Sequence, residues 1–149
     1  MNNYSYTLLV SLFIGAGIVV QGALNGRLGA TLSPLLNGVL VMMGGGLVAL
    51  LIFLAVYAKN LTVISEITRT QLSYILISGA IGVIAIGGST YIFPRLGIVM
   101  GSLSVLLGQM VIAFILDSLG FLGAPLPVTI ERILGLLLVM AGVWLASPR

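Results

Sequence analysis

Cysteine and histidine are both missing from this 149-residue chain, and charge of either sign is scarce, with six lysines and arginines and three acidic residues. Without cysteine there is no disulfide framework and no thiolate metal site. Without histidine the chain lacks both a base that titrates near neutrality and the commonest metal ligand. The three carboxylates, Glu66, Asp117 and Glu131, fall in connections or at helix ends. None is placed to exchange protons at the centre of a bilayer, which argues against a glutamate-based proton antiport in the membrane core. No nucleophile–base constellation occurs, and the glycine-rich stretches carry neither the lysine of a phosphate-binding loop nor a preceding strand. The expectation is a protein that is not an enzyme, with no catalytic residue, no metal and no cofactor.

What is present is apolar surface. Hydrophobic residues make up 60% of the chain, whereas soluble domains carry roughly a quarter charged residues, and no soluble core hides that much apolar area. The solvent expected is a lipid bilayer. Its hydrocarbon core of about 30 Å asks for roughly 20 apolar residues per helix. Five such segments can be read, at about 6–25, 36–58, 72–93, 97–116 and 132–146, giving an all-α integral membrane protein with a single transmembrane domain over 1–149. The breaks between them carry turn chemistry: Gly26, Arg27 and Gly29 before Ser33-Pro34, then Pro94-Arg95-Leu96-Gly97, then Pro125 and Pro127. Pro94–Gly97 is short enough to demand an antiparallel helix pair. The polar stretch with Lys59, Asn60, Thr62, Ser65, Glu66, Thr68 and Arg69 suits a short interfacial helix. The first apolar run lacks the basic residues that precede the core of a signal peptide, so it is expected to be retained as a span.

Twenty glycines are many for a helical chain, since each costs up to about 1 kcal/mol against alanine in a helix interior. In lipid the same residue lets helix backbones approach closely. Gly22 with Gly26, and Gly97 with Gly101, have the four-residue spacing of such a face. The adjacent pair Gly87-Gly88 is the expected site of a bend.

The basic residues lie singly between apolar runs, so they read as topology markers rather than as a nucleic-acid surface. With five spans, Lys59, Arg69 and Arg132 fall on one side, and Arg27, Arg95 and Arg149 on the other. Orientation follows lysine and arginine asymmetry in short loops, and here there is none. The balance predicts dual topology, with two opposed copies pairing as an antiparallel homodimer of ten helices, the inverted-repeat arrangement of many secondary transporters; the alternative is a single orientation fixed by one loop residue or by an obligate partner subunit.

Polar side chains at membrane depth are costly and therefore mark function. Gln21 and Asn25 are one turn apart, Asn37 opens the second segment, Ser89 and Thr90 lie late in the third, and Gln109 is near the middle of the fourth. Gln21, Asn25, Asn37, Ser89, Tyr91 and Gln109 are the candidate solute-binding residues: the carboxamides offer both donors and acceptors to a polar solute and Tyr91 suits a cavity wall, the alternative being that these groups only hydrogen-bond helices to one another. Ser102 and Ser104 are expected only to bond within or between helices. The remaining aromatics, Tyr74, Phe93, Phe121 and Trp144, read as interfacial or packing residues.

Several blocks resemble the YdcZ family of the drug/metabolite transporter superfamily. They are Gln21-Gly22-Ala23-Leu24-Asn25-Gly26-Arg27-Leu28-Gly29 followed by Ser33-Pro34, then Pro94-Arg95-Leu96-Gly97, then Gly108-Gln109 with Asp117 and Gly120 after it, and finally Leu134-Gly135 to Ala141-Gly142-Val143. The resemblance covers nearly the whole chain and implies a half-length, five-helix exporter in the bacterial inner membrane. The last two segments are also similar to the tail of small multidrug resistance transporters, but the first-helix glutamate of that family is absent, so its proton-coupled drug export does not carry over. The function expected is secondary transport of a small polar or amphipathic organic solute by alternating access, with Gln21, Asn25, Asn37 and Gln109 from both copies at the midplane. A small dual-topology ion channel and an accessory membrane subunit are the alternatives.

Overall fold

The computed structural model describes residues 3–58, 64 and 67–147. Four helices account for most of them: α1 (Asn3–Leu28), α2 (Pro34–Tyr57), α3 (Arg69–Ser118) and α4 (Ile130–Leu145). Lys59, Asn60, Thr62, Ser65 and Glu66, most of the stretch read as an interfacial helix, lie outside the described residues, as does Arg149. The chain divides into two compact units, 1–94 and 95–149.

In the first unit, local chemistry sets the starts of α2 and α3. Proline is tolerated in the first turn because its missing N–H would be unpaired there anyway. Accordingly Pro34 opens α2 behind Ser33, whose hydroxyl accepts from the Leu36 N–H at 3.3 Å. Ahead of α3, Thr68 and Gln71 form a reciprocal box: Gln71 Oε1 accepts from the Thr68 N–H at 2.8 Å, and Thr68 Oγ1 accepts from the Gln71 N–H at 3.2 Å. The expected bend at Gly87-Gly88 does not occur, and α3 keeps helical dihedrals there. Gly87 serves close approach instead, since a β-carbon on it would lie 2.6 Å from the Pro34 carbonyl oxygen of α2. Similar approaches bring Gly38 to the Val83 carbonyl and Gly29 to that of Thr90, while the Phe93 side chain lies on α1 with its ring against Gly22 and its β-carbon against Gly26. The close-packing face expected for Gly22 and Gly26 is therefore a seat for an aromatic side chain.

The turn expected over Pro94–Gly97 is narrower than the sequence suggests. Helix α3 runs through Pro94 and leaves helical geometry only at Gly97 (φ 75°, ψ 170°), a left-handed φ that favours glycine. A straight helix of 50 residues would measure about 75 Å, far more than a bilayer core, so the break at Gly97 divides it into arms over 69–96 and 98–118.

The second unit holds the arm 98–118, an ordered connection, and α4. Gly120, also at positive φ (70°), donates from its N–H to the Asp117 carbonyl at 3.1 Å, and the Leu126 N–H returns to the same carbonyl at 2.9 Å. Arg132 binds Asp117 Oδ2 at 2.6 Å, donates to the Pro127 carbonyl at 3.4 Å and lies 5.4 Å from the centre of the Phe114 ring. Thr129 caps α4 by accepting from the Arg132 N–H. Arg132, Leu136, Val139 and Val143 form the half-buried stripe of this helix at helical spacing.

Burial is inverted relative to a soluble protein. Phe93 is the buried hydrophobic core residue, and the buried polar ones are Asn25, Asn37 and Thr90, while leucines, isoleucines and valines along every helix are exposed. Helices α1, α2 and α3 are long and apolar enough to cross a membrane. At 16 residues α4 measures about 24 Å, short of the core thickness. An all-helical chain with this surface is a multi-pass membrane protein.

Candidate functional site

Four polar side chains from three helices meet inside the first unit. Helix α1 brings Asn25 on the stripe Gly22, Asn25, Gly26 and Gly29, whose spacing keeps one face toward its neighbours. Helix α2 brings Asn37 in its first turn, and α3 brings Ser89 and Thr90. The glycine approaches described above set the helices close enough for these short side chains to touch. Asn37 Nδ2 donates to Thr90 Oγ1 at 2.5 Å and to Asn25 Oδ1 at 3.5 Å. Asn25 Nδ2 donates to Ser89 Oγ at 3.2 Å. The Ser89 and Thr90 hydroxyls both donate to the Ile86 carbonyl, at 2.7 and 3.0 Å. Asn37 is wholly enclosed, at 0% exposure, and its Oδ1 meets no donor among the described residues.

The node is electrically neutral, built of carboxamides and hydroxyls. It therefore neither titrates nor binds a bare metal ion by charge; it can exchange hydrogen bonds with a polar solute. Its position is also informative. Asn25 is close to the C-terminal end of α1 and Asn37 close to the start of α2, so the node lies near the α1–α2 connection and not halfway along these helices.

Of the six residues expected to bind solute, Asn25, Asn37 and Ser89 come together here. Gln21 is exposed, because the packed stripe of α1 runs through Gly22 and Asn25 and leaves Gln21 at its edge. Tyr91 is exposed on another face of α3, and Gln109, in the second unit, is exposed near the middle of the arm 98–118. Thr90 is the node member that the expected set omitted. The available signal was its spacing from Val83 and Gly87, which places all three on the face of α3 turned toward α2. Ser102 departs from its expected role: its hydroxyl is buried and meets no partner among the described residues.

The model of the family whose description reads "putative inner membrane exporter, YdcZ" matches residues 6–145. Neither a curated protein nor a solved structure matches the chain.

Proposed function

The chain belongs to the YdcZ family of inner-membrane exporters, and from that premise we propose that it carries a small polar or amphipathic organic solute by alternating access of an antiparallel homodimer. The break at Gly97 lets α3 contribute two spans, which with α1, α2 and a thinned or locally compressed bilayer around the short α4 makes five per copy and ten in the dimer. An odd number of spans with balanced basic residues suits insertion both ways. The observation that carries the reading is the buried Asn25–Asn37–Ser89–Thr90 node, a closed polar station inside otherwise apolar helices. Because it lies toward one end of its helices, opposed copies place one node near each membrane face. Each node then serves as a solute station at one entrance. Gln21 and Gln109 supply further carboxamides to the solute. Partner copies also explain how these exposed carboxamides avoid lipid, where an unsatisfied amide is costly.

Inverted membrane vesicles test transport directly. Vesicles containing the protein, incubated with a pooled extract of small metabolites, are expected to retain at least one solute, detected by mass spectrometry, that vesicles lacking the protein do not. Identical retention in both would remove the carrier reading. Topology is read separately from fusions at Arg149, one to a reporter active only in the cytoplasm and one to a reporter active only outside it. Dual topology predicts strong signal from both, and signal from one alone rules out the homodimer as drawn.

A further inference from the structure

The hydrogen bonds of the node indicate which chemical group it is built to receive. Ser89 and Thr90 commit their only hydroxyl protons to the Ile86 carbonyl, so each presents lone pairs alone to its other neighbours. Asn25 Oδ1 is likewise an acceptor. The rim formed by α1 and α3 thus offers two acceptors, Thr90 Oγ1 and Asn25 Oδ1, and a single group from α2 fills both: the Nδ2 amino end of Asn37, at 2.5 and 3.5 Å. The other end of the same carboxamide, Oδ1, is fully buried without a donor among the described residues. A buried acceptor left unpaired is unfavourable, so this placement of Asn37 is matched at its amino end and mismatched at its carbonyl end.

We propose that the Thr90–Asn25 rim is a receptor for a primary amino or carboxamide –NH2 group on the transported solute, and that Asn37 is a built-in stand-in that fills the receptor when no solute is bound. This rests on the carrier reading and assigns its substrate class. A primary amine or amide brings two or more protons and satisfies both acceptors as Asn37 does. An alcohol brings one proton and satisfies one. A carboxylate sets lone pairs against lone pairs and is rejected. The orphaned Asn37 oxygen completes the cycle, because when α2 withdraws and the solute's –NH2 takes the rim, that oxygen is released to find a donor in water or on the solute.

The test uses the full chain in detergent micelles, with n-butylamine, butyramide, n-butanol and butyrate as probes and the probe-dependent rise in thermal unfolding midpoint as readout. In Asn37→Ala, butylamine and butyramide are expected to act at about tenfold lower concentration than in the wild type, since a competing buried hydrogen-bonding group has gone. Thr90→Val, which keeps the shape and removes the acceptor, is expected to weaken both probes about tenfold while leaving butanol nearly unchanged. Butyrate should have no effect on any form. Equal response of all four probes, or an amine response that neither substitution alters, would overturn the proposal, and Thr90→Val decides alone if Asn37→Ala does not fold. The vesicle experiment separates the two levels. A retained solute without an –NH2 group leaves the carrier standing and removes this inference. Selective amine binding with no retained solute removes the carrier and leaves the receptor.

Discussion

Gly38→Leu is expected to prevent α2 from seating on α3, and even Gly38→Ala should lower stability by about 1–3 kcal/mol, the usual range for overpacking. The obstacle is backbone and not a side chain that can turn away. A β-carbon at position 38 would lie 2.5 Å from the Val83 carbonyl oxygen, 3.2 Å from a Val83 methyl and 3.3 Å from the Gly87 nitrogen. Moving α2 outward to make room would separate Asn37, the preceding residue, from Thr90 and Asn25, so the loss of packing and the loss of the node arrive together. Unfolding by a graded mixture of denaturing and mild detergent measures the effect. Gly45→Ala is the comparison, because nothing lies within 4 Å of a β-carbon there and alanine is favoured over glycine in a helix by up to about 1 kcal/mol. Equal stability of Gly38→Ala and the wild type would mean that α2 and α3 do not pack this closely in the membrane.

For Gln109→Leu the expected result is the reverse: folding preserved and transport lost. Gln109 is exposed in the single copy, so replacing it with a side chain of similar length costs the second unit little packing. Leucine is also the less costly residue at that depth in lipid. If both copies use this carboxamide along the solute path, the substitution removes two hydrogen-bonding groups from one dimer. Vesicles carrying the variant should then retain no more solute than vesicles without the protein, at matched expression and matched unfolding midpoint. Unchanged retention would take Gln109 out of the path.

Much of this architecture was legible because lipid imposes a simple rule on the chain. The apolar runs announced the helices, and Ser33-Pro34 announced the start of α2, since capping and proline chemistry are local and need no tertiary information. The pairing of polar groups was not legible in the same way. Asn25 and Ser89 are 64 positions apart, and nothing in the periodicity of either helix states that their faces meet. Gln21 illustrates the difficulty: one turn from Asn25, it satisfies the spacing rule for a shared face, yet a 3.6-residue period leaves it displaced around the helix, and the packed stripe follows the glycines instead. Thr90 was passed over for the opposite reason, because a threonine that bonds back to its own helix gives no sign that its lone pairs serve another. Proline misled in one respect. Pro94 looked like the end of a helix, but its missing N–H frees only the Thr90 carbonyl, which lies beside Gly29, and the helix continues to Gly97 before it breaks.

The neutrality of the node has a consequence for energetics across the membrane. A membrane potential does work of about 2.3 kcal/mol per 100 mV on each elementary charge that crosses it, and no carboxamide or hydroxyl carries such a charge. Exchange of Asn37 for a solute within the node therefore moves no gating charge by itself. A solute bearing an ammonium group would bring one positive charge to the node and respond to the potential, whereas a carboxamide would bring none.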